Sequence, residues 1–126
     1  MKNSKIEVVF EDQILSVKFL DNVVIESSDI EELYEFGDQE AGAKPYCIIF
    51  EPENHYNVTE DAIEYIVDNP HTKNIIAKAY VVNSKEAEMK NRLHLAFDHP
   101  SLKPFSFKSY TEGKNWLLSK LNANNS

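Results

Sequence analysis

Two short runs of apolar residues do most to limit the folds open to this chain of 126 residues. The first, "PYCIIFEP", occupies residues 45–52 between two prolines, and the second, "NIIAKAYVVN", occupies residues 74–83. Both are rich in β-branched and aromatic residues, and neither alternates between apolar and polar positions. A strand that is apolar on both faces is typical of the interior of a parallel sheet with covered faces. We therefore predict two central strands that bury Cys47, Ile48, Ile49, Ala79, Val81 and Val82.

The segment before the first run predicts a hairpin and a helix. "KIEVVFED" and "QILSVKFL" alternate as strands do, with a tight turn near Glu11 and Asp12. The pattern then changes to helical spacing, which places four residues on one helical face: Ile30, Leu33, Tyr34 and Gly37. Ser28 followed by Glu31 predicts a capping box at the start of this helix.

Helical spacing returns three more times along the chain. A helix is predicted from Thr59, another from Asn83 or Ser84, and a last one behind a capping box of Ser109 with Glu112. Trp116, Leu117 and Leu121 form the apolar stripe of the last helix, and "PFSFKS" before it predicts a short strand. The order β-β-α-β-α-β-α-β-α predicts one α/β domain over residues 1–126, with a disordered tail from about residue 122. We expect a mixed, mostly parallel sheet of about five strands, with right-handed crossovers and about four helices.

Charge argues against nucleic acid as a partner. The formal net charge is −8, whereas a phosphate backbone requires a basic surface. Residues 1–70 hold 4 Lys or Arg and 17 Asp or Glu, a net −13, and residues 71–126 hold 9 and 4, a net +5. No apolar run approaches the roughly 20 residues that span a bilayer, and none forms a signal-peptide core. We expect a cytoplasmic protein without a transmembrane segment, and the single Cys47 offers no disulfide framework.

The sequence carries no pattern typical of an enzyme or of a cofactor site. The four histidines do not stand at metal-ligand spacing, and none of the three glycines belongs to a phosphate-binding loop. Carboxylates are numerous near Glu60 and Asp61, but negative charge in the first turn of a helix is favourable in itself. We expect no catalytic residue, no metal and no cofactor.

The stretch "FEPENHYNVTEDA", residues 50–62, contains the candidate site. A loop holding His55, Tyr56 and Asn57 leads to Thr59, immediately before a predicted helix. A threonine there is typical of a helix cap, and we predict that its hydroxyl accepts an N–H from Asp61 or Ala62. The alternative is a regulatory loop formed by His55, Tyr56, Asn57 and Thr59.

Three stretches resemble the STAS superfamily of anti-sigma factor antagonists and sulfate transporters. These are "DNVVIESSDIEELYEFGD", "PYCIIFEP" with "NVTEDA", and "KNIIAKAYVVNS". Together they are similar to small, stand-alone, SpoIIAA-like bacterial proteins of unknown role, a fold also grouped with lipid-binding CRAL-TRIO-like proteins. The resemblance covers roughly residues 5–121. In signalling members, a kinase phosphorylates a serine in a D-S-[ST]-G-[LI] loop at a helix N-terminus. Thr59 holds that position here, but Glu60 and Asp61 follow it instead of the Ser-Gly-Leu type of sequence.

The resemblance supports two hypotheses of different classes. The first is a non-catalytic interaction module that binds a protein partner, or a second copy as a homodimer, through the loop around residues 56–59 and the following helix. The second is a carrier of a lipid or another small apolar ligand, which the aromatic content also favours. A sizeable buried apolar pocket would favour the carrier, and a flat exposed apolar patch would favour the module.

Overall fold

The computed structural model describes residues 5–51, 56–68, 74–81 and 105–125. The chain forms strands β1 (Ile6–Glu11), β2 (Ile14–Phe19), β3 (Val23–Ile25), β4 (Tyr46–Glu51), β5 (Tyr56–Val58), β6 (Ile75–Val81) and β7 (Phe105–Phe107). The described helices are α1 (Ser27–Ala41), α2 (Glu60–Asp68) and α3 (Tyr110–Asn125). The further helix predicted from Asn83 or Ser84, and the core position predicted for Val82, lie outside the described residues.

The main sheet has five strands in the order β1-β2-β4-β6-β7. β1 and β2 form the predicted antiparallel hairpin, and the other neighbouring strands are parallel. The turn lies at Asp12 and Gln13, whose φ angles of 57° and 61° are those of a type I′ turn. The predicted α/β fold, with its mixed and mostly parallel sheet, is therefore confirmed.

The two apolar runs form β4 and β6, and each has a neighbouring strand on both sides. Five of the predicted core residues are buried as expected: Cys47, Ile48, Ile49, Ala79 and Val81. The same run also buries Lys78, whose side chain is 0% exposed. Its Nζ lies 3.4 Å from the hydroxyl of Tyr34 on α1, so that the ammonium has a polar neighbour inside the core.

The described helices cover the two faces of the sheet unequally. α1 and α2 contribute to a core on the first face, together with buried residues of β1, β2 and β4. α3 forms the core of the second face, where Leu117 and Leu121 are buried and Trp116 is half-buried. α1 approaches the sheet closely because it presents Gly37 there: a Cβ on Gly37 would lie 3.0 Å from the hydroxyl of Tyr46.

Two predicted helix ends differ from the structure. The capping box of Ser28 with Glu31 is wrong, because α1 begins at Ser27 and Glu26 is its N-cap residue. The backbone N–H of Glu26 donates a hydrogen bond to the Asp29 carboxylate at 2.8 Å. The disordered tail predicted from about residue 122 is instead the last turn of α3. Adding a residue to an existing helix costs little, so the helix continues beyond Leu121, its last buried side chain.

Candidate functional site

β3 and β5 form a separate two-stranded parallel sheet that the sequence did not predict. Val23 pairs with Tyr56, Val24 with Asn57 and Ile25 with Val58. The ladder continues for one more hydrogen bond, from the N–H of Thr59 to the carbonyl of Ile25 at 3.0 Å. Each of these short strands leads directly into a helix, β3 into α1 and β5 into α2. The pairing therefore holds the N-termini of the two helices side by side.

Thr59 caps α2, as predicted. Its Oγ1 accepts the backbone N–H of Ala62 at 3.1 Å, and the helix begins at Glu60. Ala62 is 0% exposed, so the hydroxyl satisfies a donor that has little access to water. The hydroxyl of Thr59 therefore has a structural task in the folded chain.

The start of α1 is stabilised by the buried carboxylate of Asp29. This group accepts the N–H of Glu26 and also contacts the Nζ of Lys5 at 2.9 Å. The hydrogen bond to Asp29 raises the pKa of the Lys5 ammonium above its usual value. A negative charge in the first helical turn also complements the positive end of the helix dipole.

Around these two helix starts lies a group of exposed residues that we call the strand–helix platform: Val24, Glu26, Asn57, Glu60 and Asp61. Val24 is 46% exposed and pairs with the exposed Asn57 across the two-stranded sheet. The other three members are carboxylates. The platform therefore offers one apolar side chain and one amide within an acidic surface.

The structure brings together only part of the predicted loop site. Asn57 and Thr59 lie on the same short segment, where Asn57 points into solvent and Thr59 is half-buried. Tyr56 belongs to β5 by its backbone, while its side chain and the whole of His55 lie outside the described residues. Sequence analysis missed Val24 and Glu26, because their proximity to Asn57 depends on the pairing of β3 with β5.

Two titratable groups of the described core, Cys47 and Tyr46, are less acidic than usual. Burial raises the pKa of the Cys47 thiol to about 12. Burial also raises the pKa of the Tyr46 hydroxyl well above its usual range, aided by the carboxylate of Asp38, to which it donates a hydrogen bond of 3.0 Å. Within the described ranges, no group of three or more His, Cys, Asp or Glu side chains is arranged to hold a metal ion.

A second surface feature lies on the hairpin, on the α3 side of the sheet. It is an open cavity of about 490 Å³ whose lining residues come from β1, β2 and β4: Glu7, Val8, Val9, Ser16, Val17, Lys18 and Glu51. Charged side chains form part of its walls, in contrast to the enclosed apolar pocket that a lipid carrier requires.

Comparisons with known proteins give a family and a fold. A family model described as a domain of unknown function (DUF7793) matches residues 8–120. The chain is also similar to the crystal structure of an uncharacterized protein of the DUF3478 family, with a SpoIIAA-like fold, from Shewanella loihica PV-4. The two chains are 14% identical, the match covers 93% of this chain and 98% of that one, and the TM-score is 0.58.

That structural similarity confirms the predicted SpoIIAA-like fold. No curated protein matches the chain. None of the helices among the described residues has the length and hydropathy needed to cross a membrane.

Proposed function

We propose that this chain, which belongs to the DUF7793 family of domains of unknown function, is a non-catalytic module that binds a partner protein through the strand–helix platform. One observation carries the proposal: the parallel pairing of β3 with β5 joins two helix N-termini into one exposed surface. A surface assembled from two distant parts of the chain and held by backbone hydrogen bonds keeps its shape on binding. That rigidity lowers the entropy cost of association.

Internal contacts use the reactive groups around the platform, while its outer groups remain exposed. The Thr59 hydroxyl bonds to the N–H of Ala62, and the Asp29 carboxylate bonds to Glu26 and Lys5. Asn57, Glu60 and Asp61 face solvent. Carboxylates and amides that face solvent suit recognition by hydrogen bonds and charge, so the proposed partner presents a basic surface.

The geometry favours a capping role for Thr59 over a phosphorylated one. A phosphate on its Oγ1 would disturb the hydrogen bond to Ala62 and would lie beside the carboxylates of Glu60 and Asp61. Repulsion by like charges would offset the favourable interaction with the helix dipole. We therefore propose that the platform binds its partner without modification of Thr59.

The carrier hypothesis has less support from the described residues. The cavity of about 490 Å³ has the size of a ligand site, but it is open and is lined in part by Glu7, Lys18 and Glu51. An apolar ligand placed there would desolvate charged groups without giving them new partners, which is unfavourable.

A matched pair of variants tests the proposal. Asn57→Arg places a bulky cation on the acidic platform, and Asn115→Arg places the same side chain at an exposed position of α3. Tagged versions of both are purified from the native cell beside the unmodified chain, and the bound material is identified by mass spectrometry. We expect a protein that accompanies the unmodified chain and Asn115→Arg but is lost with Asn57→Arg, while both variants unfold at the same denaturant concentration.

Two results would contradict this proposal. If both variants retain the same partner, binding does not use the platform. If the unmodified chain carries a stoichiometric apolar molecule and no protein, the carrier hypothesis is the better one. Light scattering on the purified chain separates a foreign partner from a second copy.

A further inference from the structure

Among the described residues, a helix covers only part of the second face of the main sheet. α3 packs over β4, β6 and β7, which form one side of the five-stranded sheet. β1 lies beyond α3, and β2 contacts the start of α3 through Ser16. Val9 on β1 is 60% exposed in the full chain, and it belongs to the second face because its neighbour Val8 is buried in the core of the first.

The strand register arranges the half-buried side chains of this region, together with the exposed Val9, in rows. Glu7 on β1 pairs with Lys18 on β2, and Lys18 pairs with Glu51 on β4, so that two carboxylates flank one ammonium. In the next row, Val9 pairs with Ser16. We call this surface the β1–β2 groove; its cavity of about 490 Å³ is described above.

One side of the groove is held in place by the beginning of α3. The hydroxyls of Ser16 and Tyr110 are 2.8 Å apart and form a hydrogen bond. The Lys114 ammonium lies 3.7 Å from the carboxylate of Asp12 in the hairpin turn. Both contacts tie the hairpin to the helix, so that the groove has a fixed wall on its α3 side.

We propose that the β1–β2 groove binds a cationic amphipathic helix of a partner protein. Neighbouring strands are about 4.8 Å apart and a helix is about 10 Å across, so two strands offer the width for one helix beside α3. Glu7 and Glu51 against Lys18 give the residues that line the groove a formal charge of −1. Apolar side chains of the bound helix contact Val9, and its basic side chains pair with the carboxylates at the rim.

A second copy of the chain is a poorer occupant. Two grooves related by a two-fold axis would bring together surfaces of the same negative charge. The exposed positions of α3, which include Glu112, Asn115, Ser119 and Lys120, are polar and offer no apolar stripe for the groove of a neighbouring copy.

A synthetic peptide provides the test. The probe is a helix of about four turns, roughly 14 residues, with leucines on one face and lysines on the other, and its control replaces every lysine with glutamate. Each peptide is titrated into the isotopically labelled full chain and followed by amide chemical shifts. We expect the lysine peptide to shift the amides of Val9, Ser16 and Lys18, and the glutamate peptide to shift none of them.

Two exposed residues give a matched pair of variants for the same titration. Val9→Lys places a cation in the groove, and Gln39→Lys adds the same charge on the exposed side of α1, away from both surfaces, so both change the net charge equally. We expect Val9→Lys to weaken binding of the lysine peptide at least tenfold, or about 1.4 kcal/mol, and Gln39→Lys to weaken it less than twofold.

Three outcomes would overturn the proposal. Equal effects of the two substitutions would mean that only net charge attracts the peptide. Shifts confined to Asn57, Glu60 and Asp61 would place the binding on the platform. If the Val9 amide shifts as the labelled chain is concentrated without any peptide, a second copy of the chain occupies the groove. Because the platform is tested separately by Asn57→Arg, a failure here leaves the proposed function standing.

Discussion

Replacing Thr59 with alanine removes one hydrogen bond whose loss the structure allows us to estimate. The Oγ1 of Thr59 accepts the N–H of Ala62 at 3.1 Å, and Ala62 is 0% exposed. A buried donor left without a partner costs about 1–3 kcal/mol, and removal of a helix cap costs about 0.5–2 kcal/mol. Because water reaches this N–H poorly, we expect a cost of about 1–2 kcal/mol, in the upper half of the capping range.

A second cap in the same chain provides an internal standard. Ser109 accepts the N–H of Glu112 at 3.2 Å at the start of α3, but that hydrogen bond is exposed. Water can replace the Ser109 hydroxyl, so Ser109→Ala is expected to cost about 0.5 kcal/mol, the lower end of the capping range. The difference between the two alanine variants therefore measures how much burial adds to the value of a cap.

Two further substitutions at residue 59 separate the hydroxyl from the remainder of the side chain. Thr59→Ser keeps the acceptor and is expected to stay within about 0.5 kcal/mol of the unmodified chain. Thr59→Asp also keeps an acceptor and complements the helix dipole, although Glu60 and Asp61 repel the added charge. Equilibrium denaturation by urea, followed by circular dichroism, measures all four variants on one scale.

An unchanged denaturation midpoint for Thr59→Ala, or a larger cost for Ser109→Ala than for Thr59→Ala, would contradict a buried, stabilising cap at Thr59. An unchanged midpoint combined with altered partner binding would favour the regulatory interpretation of Thr59. Affinity purification of the same variants from the native cell shows whether loss of the Thr59 hydroxyl changes partner binding.

Three further predictions concern the core. Ile49→Ala is expected to lower the free energy of unfolding by about 2–5 kcal/mol, because Ile49 is buried on the central strand. Urea denaturation measures this cost, and a value below about 1 kcal/mol would contradict the interior position of β4. Gly37→Ala gains about 1 kcal/mol of helix propensity but places a Cβ 3.0 Å from the Tyr46 hydroxyl, so we expect the free energy of unfolding to fall by about 1 kcal/mol. A variant more stable than the unmodified chain would show that α1 can move away from the sheet. Burial raises the pKa of the Cys47 thiol from 9.0 to about 12, so above pH 9 the thiol ionises in the unfolded chain and stays neutral in the folded chain. The stability that this group contributes is therefore lost between pH 9 and 12. In urea titrations over pH 8–10.5, the free energy of unfolding of Cys47→Ala should fall less steeply than that of the unmodified chain.

The sequence predicted best those features that depend on residues close together along the chain. β4 and β6 followed from runs that are apolar on both faces, and the buried face of α1 followed from helical spacing. The Thr59 cap also followed, since its donor lies only three residues away. Local sequence determines such features because the partners are fixed by the geometry of one helix or one strand.

The platform could not be predicted in the same way, because distant residues determine it. β3 and β5 have three residues each, too few for a recognisable alternation, and they pair across 33 positions of the chain. The same pairing ends β3 at Ile25 and lets α1 start at Ser27, which is why the capping box predicted at Ser28 was wrong. Lys78 illustrates a related limit: its burial depends on Tyr34, a residue of another element.

The resolved pKa shifts of the described groups have causes within the fold. A general acid or base works best when its pKa lies near the working pH, so active sites move pKa values toward neutrality. In the described part of the chain, the shifts move away from neutrality: burial raises the pKa values of Cys47, Tyr46 and Tyr65, and the hydrogen bond to Asp29 raises that of Lys5. Each shift stabilises the protonation state that the group already has at neutral pH. Burial and hydrogen bonding in the fold account for these four shifts, and the proposed binding of a basic partner rests instead on the carboxylates of the platform and of the β1–β2 groove.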